Sequence, residues 1–440
     1  MSSRHKELNF IALVSIVIGS QIGAGAFVIP SILAPFKTIG LLGWLVSVSG
    51  AISLALIFSD LSSHLPKNGG PHVYVSAAFG RVAAFFTAWI YWIISWSSSS
   101  VLLVATTSYL VMITGYLTSF EIILIEAGVL LIITYVNIVG MKFSGIIETV
   151  LTGLKILPLL FLPVIFFMFF DPEHFKFSFK EVADGGDVMS IVSKTALITF
   201  WGFIGVECAT TPAESVKNPK KTIPRAIIIG TSCVAMIYIM NTISIVGVVG
   251  FDELGKTGAP YAKAMGYIFS HYSDIAISIM AIIVCIGTLN AWTLTSGQIA
   301  HGAHSDGLFP KIFGKINKTG APSNALILAA IGMVPFLIIE QMDCWKNGLE
   351  KFIGILTSIF VFVYLICSIS YMKLINKWYK TKKGRTKAHI LAQFSIIFCI
   401  FVLSQDIISS SIVLAVFIIL GIPVFLKYKN SIKSCKIESK

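Results

Sequence analysis

Residues 10–35 read FIALVSIVIGSQIGAGAFVIPSILAP. The run is apolar almost throughout and long enough to cross a bilayer, which takes about 20 residues of helix. Its middle is interrupted by Gly19, Gly23 and Gly25, and each glycine weakens a helix by about 1 kcal/mol relative to alanine. Two readings follow. The pair Gly19-x-x-x-Gly23 has the spacing by which membrane helices pack closely. Alternatively, the span breaks at membrane depth, which is tolerated only where the freed backbone is buried in protein or lines a cavity. The run follows Arg4, His5 and Lys6 and superficially resembles a signal peptide. It is longer than a usual signal core and carries internal glycines, so it reads as a retained first span.

The rest of the chain is built the same way. Of 440 residues, 56% are hydrophobic and only 12% charged, about half the charge of a soluble domain. Apolar runs fall near 10–35, 41–64, 82–114, 121–140, 146–170, 188–212, 223–249, 273–303, 324–340, 352–373, 388–404 and 407–426. They predict an all-α polytopic membrane protein with twelve transmembrane helices and no soluble domain. With the intervening segments placed on alternate sides, 24 Lys and Arg fall on one side and 7 on the other, with Lys155 and Lys194 inside spans. The basic side is the cytoplasmic one, so both termini are expected inside, in a cell membrane (the inner membrane if the source is bacterial). The same bias accounts for the net charge of +12, and nucleic acid is not an expected partner. The seven cysteines form no CxxC, and only Cys344 falls in an expected outer loop, so neither a disulfide framework nor a metal site is expected.

The sixth run repeats the anomaly of the first. Phe200-Trp201-Gly202-Phe203-Ile204-Gly205-Val206-Glu207 contains two glycines and ends on a carboxylate. The first and sixth spans occupy matching positions if five-helix units repeat, and interrupted segments at matching positions point to a transporter's binding site. Freed N–H groups and the positive end of a half-helix suit a carboxylate, and freed carbonyls suit an ammonium. An amino acid carries both charges on one carbon.

An ordered set of motifs then gives a resemblance over nearly the whole chain. It comprises Gly23-Ala24-Gly25, Gly69-Gly70-Pro71, Tyr91-Trp92, Trp201 to Glu207, Pro212-Ala213-Glu214, Lys217-Asn218-Pro219-Lys220, Ile223-Pro224-Arg225-Ala226, Trp292 and Ser305-Asp306-Gly307-Leu308-Phe309-Pro310. The sequence resembles the amino acid–polyamine–organocation superfamily, in particular its basic amino acid/polyamine antiporter branch with the arginine/agmatine antiporters. The resemblance implies a LeuT-type fold of two inverted five-helix repeats, residues 10–170 and 188–373, plus two extra helices at 388–426. It also implies a secondary transporter, expected to exchange basic amino acids or their amines. The implied partners are that small molecule, protons and the lipid bilayer, with a homodimer compatible; no cofactor is implied.

Carried over residue by residue, backbone amides around Ile22, Gly23, Ala24 and Gly25 would hold the substrate carboxylate, and carbonyls near Trp201 and Ile204 its ammonium. Trp201 and Trp292 correspond to a gate and a side-chain platform, whose π-faces attract a cation by up to about 2 kcal/mol when desolvated. Tyr91 would pair with the gate through its hydroxyl. The arginine/agmatine antiporters have a serine where this chain has Ala24 and an asparagine where it has Ser99, so one carboxylate contact and one guanidinium contact are missing. Ser95 and the run Ser97 to Ser100 still offer hydroxyls, though serines also pack helices.

Two charges remain. Glu207 lies at membrane depth, where carboxylates are costly and usually functional, and the resemblance makes it a proton-linked organiser of the broken sixth span. Lys155 sits about nine residues into the fifth span, deep for a snorkelling side chain. It falls where sodium-coupled relatives bind a cation and some proton-coupled relatives use a lysine, which favours the alternative of a proton-coupled symporter of broader specificity. Asp60 and Glu148 lie nearer span ends and read as solvated. The chain lacks HExxH, GxSxG and an intramembrane Asp pair, so an enzyme is not expected. No filter-like loop suggests a channel.

Overall fold

The computed structural model describes residues 9–67, 69–139, 141–175, 187–211, 213, 216–269, 271–341 and 349–434; for 24, 141–152, 271–272, 349 and 429–434 only the backbone is described. Arg4, His5, Lys6, Pro212, Glu214 and Cys344 therefore lie outside the described residues, as do the side chains of Ala24 and Glu148.

The fold is all-helical. Its principal helices are α1 (Phe10–Gln21), α2 (Ala24–Leu33), α3 (Leu42–His64), α4 (Pro71–Phe79), α5 (Arg81–Ser97), α6 (Ser100–Thr114), α7 (Ser119–Val139) and α8 (Met141–Met168). They continue with α9 (Val188–Phe200), α10 (Pro219–Val249), α11 (Pro260–Ile268), α12 (His271–Ser305), α13 (Ser323–Glu340), α14 (Leu349–Trp378), α15 (Lys382–Leu403) and α16 (Ile407–Ser434). Among the described residues, nine stretches are long and apolar enough to cross a bilayer, and ten if the bent pair at the N-terminus is one span. The expected number of twelve differs for identifiable reasons. Gly153–Met168 is a shorter apolar helix, and Lys382–Tyr428 counts once although its 47 residues would extend about 70 Å as one helix, more than twice the hydrocarbon thickness.

The spans differ sharply in what surrounds them. In the 18-residue apolar window of Arg81–Thr114, 94% of the residues are buried within the protein, whereas in that of Lys382–Tyr428 only 17% are. The third span therefore runs through the centre of the bundle, and α15 and α16 lie outside it. Leu124, Leu131 and Ile132 of α7 and Ile397, Ile408 and Ile419 of the last two helices are exposed; on a membrane protein such apolar faces meet lipid. Helix α10 packs on α1 and α3, α12 packs on α6 and α8, and α14 packs on α15 and α4.

Segments assigned to one side of the membrane meet one another. His72 Nε2 lies 2.8 Å from Asp306, and Arg81 donates to the Asp306 carbonyl at 2.8 Å. At the opposite end Ser190 donates to Gln405 at 3.2 Å, and Lys194 pairs with Glu350 at 2.6 Å. Asp60 differs from its solvated reading: it is partly buried and accepts from Tyr371 at 2.7 Å and Tyr379 at 2.5 Å. Burial, and then the Asp60 carboxylate, push the Tyr379 hydroxyl up to about 12.

Candidate substrate site

Helix α1 starts on Asn9, whose side chain caps the Ala12 N–H at 2.9 Å. It ends at Gln21 because Ile22 turns extended (φ −78°, ψ 107°), and Gly23 follows at φ −149°, ψ −147°. The chain re-enters a helix at Ala24, and the two halves are bent by 41°. The break frees groups on both sides. The Gln21 carbonyl accepts the Tyr238 hydroxyl at 2.7 Å, and the Ile22 carbonyl accepts the Thr288 hydroxyl at 3.1 Å. The first N–H groups of α2 have no acceptor within their own helix and sit at its positive end.

The sixth span departs from its expected form. An interruption inside a helix was expected; instead α9 stops at Phe200, and residues 201–211 form short 3-10 segments joined by turns. Gly205 adopts φ +106°, a conformation that costs a residue with a side chain about 1–2 kcal/mol. A Cβ there would lie 2.9 Å from Ser20 Oγ, and one on Gly25 would lie 3.2 Å from the Trp201 ring. The two breaks are thus in contact, and Ser20 donates to the Gly205 carbonyl at 3.2 Å.

Glu207 is fully buried and ties the unwound segment to two other spans. Its carboxylate accepts the Tyr91 hydroxyl at 2.5 Å and the Tyr364 hydroxyl at 2.6 Å. Tyr364 in turn accepts the Gly205 N–H at 3.3 Å. Tyr91 therefore does not use its hydroxyl on the gate tryptophan, because the nearby carboxylate is the stronger acceptor.

A cavity of about 30 Å³ lies between the breaks, lined by Ser20, Gln21, Gly23, Gly25, Ser98, Ser99, Leu102, Trp201, Ile204, Thr288 and Trp292. It has room for about one water, so an amino acid would require the lining to move. Of the residues singled out from the sequence, Gly23, Gly25, Ser99, Trp201, Ile204 and Trp292 line it together. Ile22 is buried beside it with its carbonyl taken by Thr288, and its N–H, expected to face the substrate carboxylate, instead closes the last turn of α1 on the Ile18 carbonyl at 2.8 Å. Ser95 is not in the lining; its hydroxyl is turned back onto the Trp92 carbonyl at 2.7 Å. Ser98 and Ser99 form a two-residue turn between α5 and α6, a joint within the continuous third span that the serine run did not disclose. The Trp201 carbonyl accepts the Ile204 N–H at 3.3 Å, leaving one lone pair.

Lys155 on α8 is fully buried but outside the cavity lining. It acts electrostatically on Cys285 of α12, and Cys285 is one helical turn from Thr288. Tyr364, Thr288 and Gln21 had not been singled out. Gln21 carried a signal, a polar side chain inside a broken apolar span; the other two are hydroxyl tips in apolar runs with no distinguishing pattern.

Comparison with known proteins gives the family. The amino acid permease family model matches residues 8–431. The chain is 29% identical over 375 residues to a cadaverine/lysine antiporter of Escherichia coli (strain K12), covering 83% of this chain and 82% of the relative. It is 26% identical over 371 residues to a putrescine transporter of the same organism, covering 83% and 84%. It is 30% identical over 343 residues to an arginine/ornithine antiporter of Pseudomonas aeruginosa, covering 76% and 71%. With a family match over nearly its whole length and apolar helices that span the bilayer many times, the chain belongs to the amino acid permease family of the amino acid–polyamine–organocation superfamily and is a multi-pass membrane transporter, not an enzyme.

Proposed function

We propose that this protein exchanges basic amino acids, or the amines derived from them, across the cell membrane, with both termini in the cytoplasm. The observation that carries the reading is the contact between two helix breaks around a cavity walled by Trp201 and Trp292. The N–H groups at the start of α2 receive the substrate carboxylate. The carbonyls of the unwound 201–204 segment and the tryptophan faces receive its cationic groups. The LeuT-type arrangement of residues 10–170 and 188–373 as inverted repeats, with 388–426 outside them, belongs to the same proposal. So does the proton-linked role of Glu207, whose two tyrosine bonds hold the unwound segment. The family's antiporters of lysine, ornithine and diamines support the substrate class.

Counterflow in proteoliposomes tests this. Vesicles loaded with lysine, arginine, ornithine or 1,5-diaminopentane should drive uptake of labelled lysine, and Trp201→Leu should abolish it while the protein remains folded and inserted. Counterflow driven only by neutral amino acids would refute the basic substrate class.

A second reading rests on Lys155. It is a proton-coupled symporter, in which this buried amine takes up a proton in one facing state and gives it up in the other. Coupling needs such a difference between states, since equal affinity shifts nothing. Its electrostatic influence on Cys285, one turn from Thr288, links it to the first break. On this reading an imposed pH gradient changes net uptake, and Lys155→Ala abolishes that response while sparing exchange. An unchanged pH response in Lys155→Ala would eliminate it.

A further inference from the structure

A second cavity, of about 400 Å³, lies apart from the substrate site among α6, α7, the end of α13 and the loop residues Lys256–Ala259. One wall is apolar, formed by Val104, Val111, Met112, Ile122 and Phe352. The other carries Glu340, whose two carboxylate oxygens are both buried without a hydrogen-bond partner. Glu126 stands behind it on α7, with 1% of its surface exposed. Its Oε1 accepts the hydroxyl of the cavity-lining Thr107 at 3.0 Å, and its Oε2 has no partner. The two carboxylates are close enough to act on each other electrostatically.

The described protein does not supply the compensation. Ser100 lies near Glu340, but its hydroxyl donates to the Ser97 carbonyl at 2.9 Å. Lys256 at the rim is exposed and paired with Glu253 at 2.6 Å. Three carboxyl oxygens are thus buried without partners, and the two groups would repel each other when both are ionised, an arrangement that is costly in a low dielectric. A calcium ion would need six or more oxygens around it. A primary ammonium brings one positive charge and three N–H donors, and an attached alkyl chain would lie along the apolar wall.

We propose that this cavity is a second amine site, taking the primary ammonium group of an aliphatic amine or of an ethanolamine lipid headgroup. The proposal stands apart from the central cavity and holds whether or not that cavity transports. The test uses the full chain in nanodiscs of phosphatidylcholine and phosphatidylglycerol, with 1,5-diaminopentane as the probe in equilibrium dialysis. Two classes of site are expected. The double variant Glu126→Gln/Glu340→Gln should lose one class, its affinity falling about tenfold or more on removal of charge-assisted bonds, and retain the other. Wild-type binding that the variant retains in full, whether in one class or two, would overturn the proposal, and a single class that the variant loses would leave it standing and count against the central cavity. Carbodiimide labelling of Glu340 in the unaltered protein, read by peptide mass, guards against a variant that fails to fold. Diamine should protect Glu340, and equal labelling with and without it would overturn the proposal. With phosphatidylethanolamine in the nanodiscs, weakened diamine binding assigns the site to the lipid headgroup and unchanged binding assigns it to the free amine.

Discussion

The chain breaks twice at the middle of its bundle, and it holds the two breaks in different ways. The first spans two residues, Ile22 and Gly23, and its freed carbonyls are taken by the neutral hydroxyls of Tyr238 and Thr288. Nothing there has to change charge, and the N–H groups at the start of α2 stay available. The second runs from Trp201 to Thr211 and, besides neutral bonds at Gly205 to Ser20 and Tyr364, is held by a carboxylate shared by two tyrosines from the third and tenth spans. A neutral clamp suits a fixed receptor for an anionic group. A clamp made by one titratable side chain suits a part that rearranges, because adding a proton converts an acceptor into a donor.

The largest effect should come from the second break. Glu207→Gln keeps the shape but turns one carboxylate oxygen into a donor that faces a tyrosine donor. Loss of a charge-assisted bond of about 1.5–3 kcal/mol should lower the exchange rate in proteoliposomes by about 10- to 150-fold. The response of rate to pH should flatten with it. A variant with the wild-type rate and pH profile would reduce Glu207 to packing.

Gly205→Ala should come next, because it strains the Ser20–Gly205 contact, one of those that join the two breaks. The positive φ alone costs about 1–2 kcal/mol, and the added Cβ presses on Ser20. Exchange should fall by roughly 5- to 30-fold, while Gly153→Ala, a position with open space around it, should leave exchange unchanged. Equal tolerance at both positions would separate the breaks functionally.

Much of this comparison was legible in the sequence. Glycines within apolar runs at 19–25 and 202–205, and a carboxylate at membrane depth, are visible without a structure because lipid makes both costly. Trp201 and Trp292 were found through family resemblance rather than pattern, since tryptophan in a membrane protein also fills space. The extent of unwinding after Phe200 was not legible: nothing in Val206 to Thr211 except the carboxylate opposes a helix locally. The joint at Ser98 and Ser99 was hidden for a similar reason, because serine hydroxyls bond back to their own helix, as Ser99 does to Ser95 at 3.1 Å. Partners such as Tyr364 come from a span more than 150 residues away in sequence from Glu207, and such pairings are set by tertiary packing.

The smallest effect concerns the wall between the breaks. Trp292 is held edge-on to Phe360 with ring centroids 5.9 Å apart, and it presents its remaining surface to the cavity. Trp292→Leu should weaken uptake of cationic substrates by up to about 30-fold, the loss of roughly 2 kcal/mol of cation–π attraction, and affect neutral ones less. Equal loss for both would make Trp292 a packing residue.

The central claim is that substrate sits where the two breaks meet, and a cysteine placed there reports on it. Ser99 lines the cavity together with Trp201 and Ile204, and Ser99→Cys changes its size little. With the parent protein as the background control, maleimide labelling of that cysteine in proteoliposomes should be slowed by lysine, ornithine or 1,5-diaminopentane, and not by glutamate. Labelling at the same rate with and without the basic compounds, in vesicles that still exchange them, would place the substrate elsewhere and contradict the account.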